Sequence, residues 1–260
     1  MGTITDTIST ATIITMGIPM TTGTDTDMDT GKSAPDIRLV VARYREDVSW
    51  LRALGLPCVV YNKGPELDPA GLPPGTRVET LPNIGREAHT YLTHILAHYD
   101  RMPRHTVFVQ GDPFAHLAPP PQSDEETRVT PEGLRHRLQD LAARDIPFAG
   151  LAWFRLACDA LGRPHDLADP AKQGRWKGWG RDIPVGETFE ALLGAPSPKK
   201  FIARAPTGNM LVRAVRFLAR PEAFYRKALD LVLADPEDER NTGHALERLW
   251  QAVFAGTGGS

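Results

Sequence analysis

Residues 36–44 read DIRLVVARY, and this string decides the fold class. Ile37, Leu39, Val40 and Val41 make a short apolar run rich in β-branched residues, preceded by Pro35 and followed by the charged stretch 43–47. Such a run, without polar alternation, predicts a strand buried on both faces, as in a parallel sheet. Working outward, VSWLRAL (48–54) has helical spacing and meets a stop at Gly55. PCVVYNKG (57–64) predicts a second strand, VETLP (78–82) a short third and HTVFVQGDPF (105–114) a fourth that ends in a polar turn. NIGREAHTYLTHILAHYD (83–100) sets Ile84, Ala88, Tyr91, Leu92, Ile95 and Leu96 on helical spacing. Strands that alternate with helices predict an α/β domain with a Rossmann-type, mostly parallel sheet flanked by helices.

Further along, Thr130-Pro131-Glu132 carries a capping residue and a proline at the first helical position, so a helix starts there. IPFAGLAWF (146–154) predicts another strand, residues 162–200 a loop-rich insertion, and 201–215 a strand, a turn and a further strand or helix. Two amphipathic helices, PEAFYRKALDLVLA (221–234) and GHALERLWQAVFA (243–255), close the chain. Residues 1–34 are crowded with Thr, Gly, Met and Asp and lack aromatics, so they are expected to form a disordered or accessory tail before a single domain over 35–260.

The composition is globular: 260 residues, 41% hydrophobic and 24% charged, with 30 basic and 32 acidic side chains giving a formal charge of -2. Collagen-like, coiled-coil and wholly disordered classes are excluded. The two cysteines, Cys58 and Cys158, sit in apolar runs and are expected as buried thiols, too few for a disulfide framework. No apolar stretch approaches the roughly 20 residues of a membrane span, and no basic leader with a long apolar core opens the chain. A soluble, cytoplasmic protein is the expectation.

In open α/β sheets, ligands bind beyond the carboxyl ends of the strands. The residues just past each expected strand are therefore the test. The first strand empties into Arg43, Tyr44, Arg45, Glu46 and Asp47, the second into Asn62 and Lys63, and the fourth into Gln110, Gly111 and Asp112. Asn83, Gly85, Arg86 and Glu87 open a helix, where free N–H groups and the helix dipole favour an anion. Asp112 suits a Mn or Mg ion bridging a diphosphate, although its partner position carries the neutral Gln110. Residues 171–228 hold twelve basic side chains against four acidic ones, interleaved with Trp176 and Trp179, a surface fit for a diphosphate or a nucleic-acid backbone. His94, four residues before His98, is expected near the substrate cleft, and His244, Glu247 and Arg248 share one helical turn, with Glu247 a candidate general base. The chain lacks a Gly-x-Ser-x-Gly elbow, a phosphate-loop lysine motif and a dinucleotide glycine fingerprint, which argues against hydrolase, NTPase and nicotinamide-dehydrogenase classes.

The blocks VVARYREDVSWL, VVYNKG, LPNIGREAHTYLTHI and VFVQGDPF, in that order within residues 37–117, resemble an uncharacterised bacterial and fungal family distantly related to GT-A glycosyltransferases. Weaker echoes lie in TGNMLVRAVRFLARPEAFY and GHALERLWQAVF. The resemblance implies a GT-A-like fold with a nucleotide-sugar at its strand ends. By that likeness Arg43, Tyr44, Glu46 and Asp47 would border the nucleotide, with Asn62 and Lys63 beside it. Asn83, Arg86 and Glu87 would face the donor sugar or diphosphate, and Asn209 would join the donor-binding set. Gln110-Gly111-Asp112 falls where that fold carries Asp-x-Asp, with Asp112 as the metal ligand, and His244 and Glu247 would lie near the acceptor.

Three readings stay open. The first is a transferase that moves a group from a nucleotide-activated donor to a hydroxyl or amine acceptor. The second is a peptide-bond or acyl transferase that docks aminoacyl-tRNA on the basic surface, and the third a non-catalytic nucleotide- or glycan-binding module.

Overall fold

The computed structural model describes residues 36–118, 129–164 and 181–255. The expected tail, 1–34, and the Trp176 and Trp179 part of the basic segment lie outside the described residues.

β1 (Ile37–Arg43), β2 (Cys58–Asn62), β3 (Arg77–Thr80) and β4 (His105–Gln110) are parallel to one another. α1 (Trp50–Leu54), α2 (Arg86–Ala97) and α4 (Pro131–Ala143) are main helices of this half, with the short α3 (Phe114–Leu117) after β4. β5 (Phe148–Gly150) and β6 (Leu156–Cys158) precede α5 (Val185–Leu193), β7 (Phe201–Ala203) and β8 (Met210–Arg213), and α6 (Ala214–Leu218), α7 (Glu222–Leu233) and α8 (Thr242–Ala255) finish the fold. The six-stranded sheet runs β3-β2-β1-β4-β8-β5, and β8 is antiparallel to both β4 and β5. The α/β, mostly parallel architecture expected from the strand runs is the one observed.

Side-chain alternation divides the core in two. Val40, Val59, Tyr61, Phe108, Met210 and Val212 face the layer built by α2, α6, α7 and α8, where Tyr91, Tyr225, Trp250 and Phe254 are buried. Leu39, Val41, Val60, Val107, Val109 and Leu211 face α1 and α4. Both central faces are apolar, which is why β1, β2 and β4 read as continuous hydrophobic runs. Truncating a fully buried leucine such as Leu39 to alanine should cost about 2–5 kcal/mol. α4 begins as the sequence requires, with Thr130 Oγ1 accepting the Gly133 N–H at 3.1 Å and Pro131 in the first turn.

The interval 162–200 is not loop throughout: α5 occupies Val185–Leu193. Val185, Phe189 and Leu192 are buried there, and Phe189 packs edge-on against Phe201 at 5.5 Å. Val185 and Phe189, with Ala245 and Leu249 of α8, belong to a third, smaller apolar cluster beside the two-stranded sheet of β6 and β7. The surrounding glycines and prolines mask its short period in the sequence. Cys58 and Cys158 are free and buried, as their runs predict, and burial raises the Cys158 thiol to about 11. Among the described residues no helix is long and apolar enough to cross a membrane.

Candidate active site at the carboxyl edge

Register fixes the edge. Arg43 pairs with Asn62, Ala42 with Gln110 and Asn62 with Thr80, so the ends of β1, β2, β3 and β4 lie in one row. Side chains then bind the loops beyond these ends to one another. Arg43 donates from Nη1 to Asn62 Oδ1 at 2.7 Å and to the Pro65 carbonyl at 3.0 Å, and from Nε to the Glu46 carbonyl at 2.9 Å. Glu46 Oε2 accepts the backbone N–H groups of Tyr44 and Arg45 at 2.7 and 3.0 Å. Asn209, wholly buried, accepts the Gln110 N–H at 3.0 Å and donates to Thr207 Oγ1, so the start of β8 is joined to the end of β4. Lys63 Nζ donates to the carbonyls of Ile84 and Arg86, linking the β2 loop to the first turn of α2. Burial, partly opposed by the Glu87 charge, lowers the Lys63 ammonium to about 8.

The segments around residues 43–47, 62–63, 83–87, 110–112 and 207–209 thus meet at one edge. Their roles divide within it. Arg43, Glu46, Asn62 and Asn209 have their polar groups engaged by neighbouring loops, whereas Tyr44, Asp47, Asn83 and Asp112 are exposed at the rim. Asp47 holds Ser49 through both its backbone N–H and its hydroxyl at 2.8 Å, and the backbone contact leads in depressing its carboxyl. Asp112 Oδ1 accepts the Phe114 N–H at 3.2 Å. Among the described residues no three His, Cys, Asp or Glu side chains gather as a metal site.

Behind this edge lies a buried acidic pair. Glu87 is in the first turn of α2 and Glu247 in the second turn of α8, 6% and 7% exposed. Burial first, and the Glu87 charge and hydrogen bond next, push the Glu247 carboxyl well above its ordinary range, against the pull of Arg86 and Arg248. Arg86 Nε lies 3.5 Å from Glu247 Oε1 and 4.0 Å from Glu87 Oε2, with its own side chain 42% exposed. Arg86 is also held at φ 51°, a left-handed backbone that non-glycine residues rarely adopt. Glu87 Oε1 and the Tyr91 hydroxyl are buried and have no hydrogen-bond partner. Gly208, at φ 71°, covers them closely: a Cβ there would come within 3.1 Å of Glu87 Cγ and 3.4 Å of Tyr91 Cε2.

His244 sits one turn before Glu247 on α8. Its Nδ1 is 3.4 Å from Asp238 Oδ2, and Asp238 also accepts the Gly243 N–H at 2.9 Å, so both belong to the start of α8. His94 is not at the edge. It lies two turns down α2, about 12 Å along the axis from the helix start, with Nδ1 3.0 Å from the Tyr61 hydroxyl and its ring stacked on His98 at 4.3 Å. Burial, with His98 next, lowers it to about 3. Its packing against Tyr61 of β2 and Phe108 of β4 overrides the helical spacing that suggested a cleft residue. Several cations of the basic segment are already engaged: Arg213 with Asp145 at 2.9 Å, Arg226 with Glu222 at 3.5 Å, and Arg220 with the carbonyls of Ala252 and Val253.

Tyr91 and Gly208 escape a reading of the sequence for site residues. Tyr91 comes four residues after Glu87 on α2, a spacing that puts both on one helix face; Gly208 offers no comparable signal. A family model described as protein of unknown function (DUF3431) matches residues 39–258. No curated protein matches the chain. Among solved structures, a CMP:2-keto-3-deoxy-manno-octonic acid synthetase complexed with CTP is similar over 84% of this chain and 87% of that one, at 12% identity and a TM-score of 0.37, too weak a likeness to argue from.

Proposed function

We propose that this chain, which belongs to the DUF3431 family of unknown function, is a group transferase that takes a nucleotide-activated donor at the carboxyl edge and a hydroxyl or amine acceptor. The observation that carries this reading is the buried Glu87–Glu247 pair beside Arg86, with the Glu247 carboxyl raised above its ordinary range. A buried carboxyl raised above its ordinary range serves proton transfer better than an exposed one.

In the reaction the acceptor oxygen or nitrogen bonds to the donor carbon as the carbon–oxygen bond to the diphosphate breaks, and the bond electrons leave with the diphosphate. The acceptor's proton passes to the ionised Glu247 carboxylate. Arg86, the Lys63 ammonium and the amino end of α2 offer positive charge to the departing diphosphate. A sugar is the donor group favoured by the family resemblance of residues 37–117.

The test is a thermal-shift screen with UDP-, GDP- and CMP-sugars, followed by turnover with Glu247→Gln. A donor should raise Tm in both proteins, while the variant loses about 10²- to 10⁴-fold in kcat. A variant that turns over at the wild-type rate would remove the carboxyl pair from the chemistry.

A further inference from the structure

A second polar groove, of about 620 Å³, runs along the outer edge of the sheet beside β5. Its volume is in the range of small-molecule sites. Among the described residues Arg137, Arg155, Arg204 and Arg216 line it, no aspartate or glutamate does, and Trp153 and Phe154 stand among the arginines. Trp153 is 48% exposed, and its ring meets that of Phe154 at 5.2 Å.

Among the described residues no carboxylate lies at ion-pair distance from Arg137, Arg155 or Arg216. Arg137 donates to the Leu151 carbonyl at 2.9 Å, which anchors the side chain without neutralising it. Arg216 Nε is buried with no hydrogen-bond partner. Several guanidiniums facing one hollow repel each other at a cost that an anion would reverse, and their forked donors match phosphate oxygens two at a time. We propose that this groove is a binding site for a phosphate-bearing small molecule carrying a planar or sugar ring, with the arginines on the phosphate and Trp153 against the ring.

The groove is not the carboxyl-edge site, although the two are neighbours. Gln251, in its wall, is one turn beyond Glu247 on α8, and Leu151, at the end of β5, donates its N–H to the Asn209 carbonyl at 2.9 Å. Binding here does not depend on the transfer chemistry, so it can be tested separately.

Pyrophosphate is the probe, titrated into the full chain by calorimetry and by tryptophan emission. A saturable isotherm is expected, weakened about tenfold, some 1.4 kcal/mol, by Arg155→Ala. Arg216→Lys, which keeps the charge and removes the fork, should also weaken it, and Trp153→Phe should abolish the emission change while leaving the heat. Arg226→Ala, an equal loss of charge elsewhere, should change nothing. Absence of saturable binding would overturn the proposal. So would equal weakening by Arg226→Ala, which would indicate a diffuse field, or weakening by Arg86→Ala alone, which would put the anion at the carboxyl edge. Tighter binding of a single-stranded RNA oligomer than of pyrophosphate, with steep salt dependence, would make the groove a polynucleotide track and equally refute the small-molecule assignment.

Discussion

Glu87 and Glu247 come from helices 160 positions apart in the chain and meet where little water reaches them. Since burial raises the Glu247 carboxyl above its usual 4.5, the proton it carries favours the folded state. That contribution is complete below the unfolded value and is lost as pH climbs towards the folded one, at up to about 1.4 kcal/mol per pH unit. Glu247→Gln cannot ionise, so its Tm should exceed that of the wild type at pH 8 and converge with it near pH 4.5. Identical Tm-against-pH curves for the two proteins would mean that the carboxyl is not raised. Arg86 acts in the opposite sense, holding the Glu247 carboxyl down. Arg86→Ala should therefore move the acidic limb of the kcat profile to higher pH and weaken donor affinity about tenfold. A lower-pH profile would contradict the assigned contact.

The start of α2 is where element and site are coupled. Gly85 caps the helix at φ 55°, and a Cβ added there would stand 2.0 Å from Val232 Cγ1 of α7. Gly85→Ala should cost about 1–3 kcal/mol in urea denaturation. Adding Val232→Ala should recover the steric part and leave the backbone part, a double-mutant cycle with strong coupling. Simple additivity would show that the helices do not meet there. Much at this scale was legible: β1, β2 and β4 are apolar throughout because helices cover both faces, and Thr130-Pro131 marked the start of α4 by its own chemistry. α5 escaped because nine residues between glycine- and proline-rich stretches give a short period. The strand ends pointed to the carboxyl edge, since polar residues at that boundary have no core to serve. The pairing of Glu87 with Glu247 was beyond reach, because a packing angle between α2 and α8 brings them together and no local spacing encodes it.

Over the whole molecule, the antiparallel β8 is the splice between the parallel half and the remainder. Asn209 makes that splice by filling the last donor of β4. Asn209→Leu, similar in volume, would leave the Gln110 N–H unpaired in a part-buried position and should cost about 1–3 kcal/mol, read as a lower urea midpoint. An unchanged midpoint would show that the junction bears no strain when cut. The raised carboxyl also makes self-assembly of this chain a reaction in which solvent protons are a reagent. At a pH between the coil's ordinary carboxylate range and the raised folded one, the chain gives its Glu247 proton to the buffer on melting and retrieves it on refolding. The heat of melting there should therefore differ between two buffers of unlike protonation enthalpy by that enthalpy difference, so that a calorimeter counts the protons of one hidden acid without any substrate present.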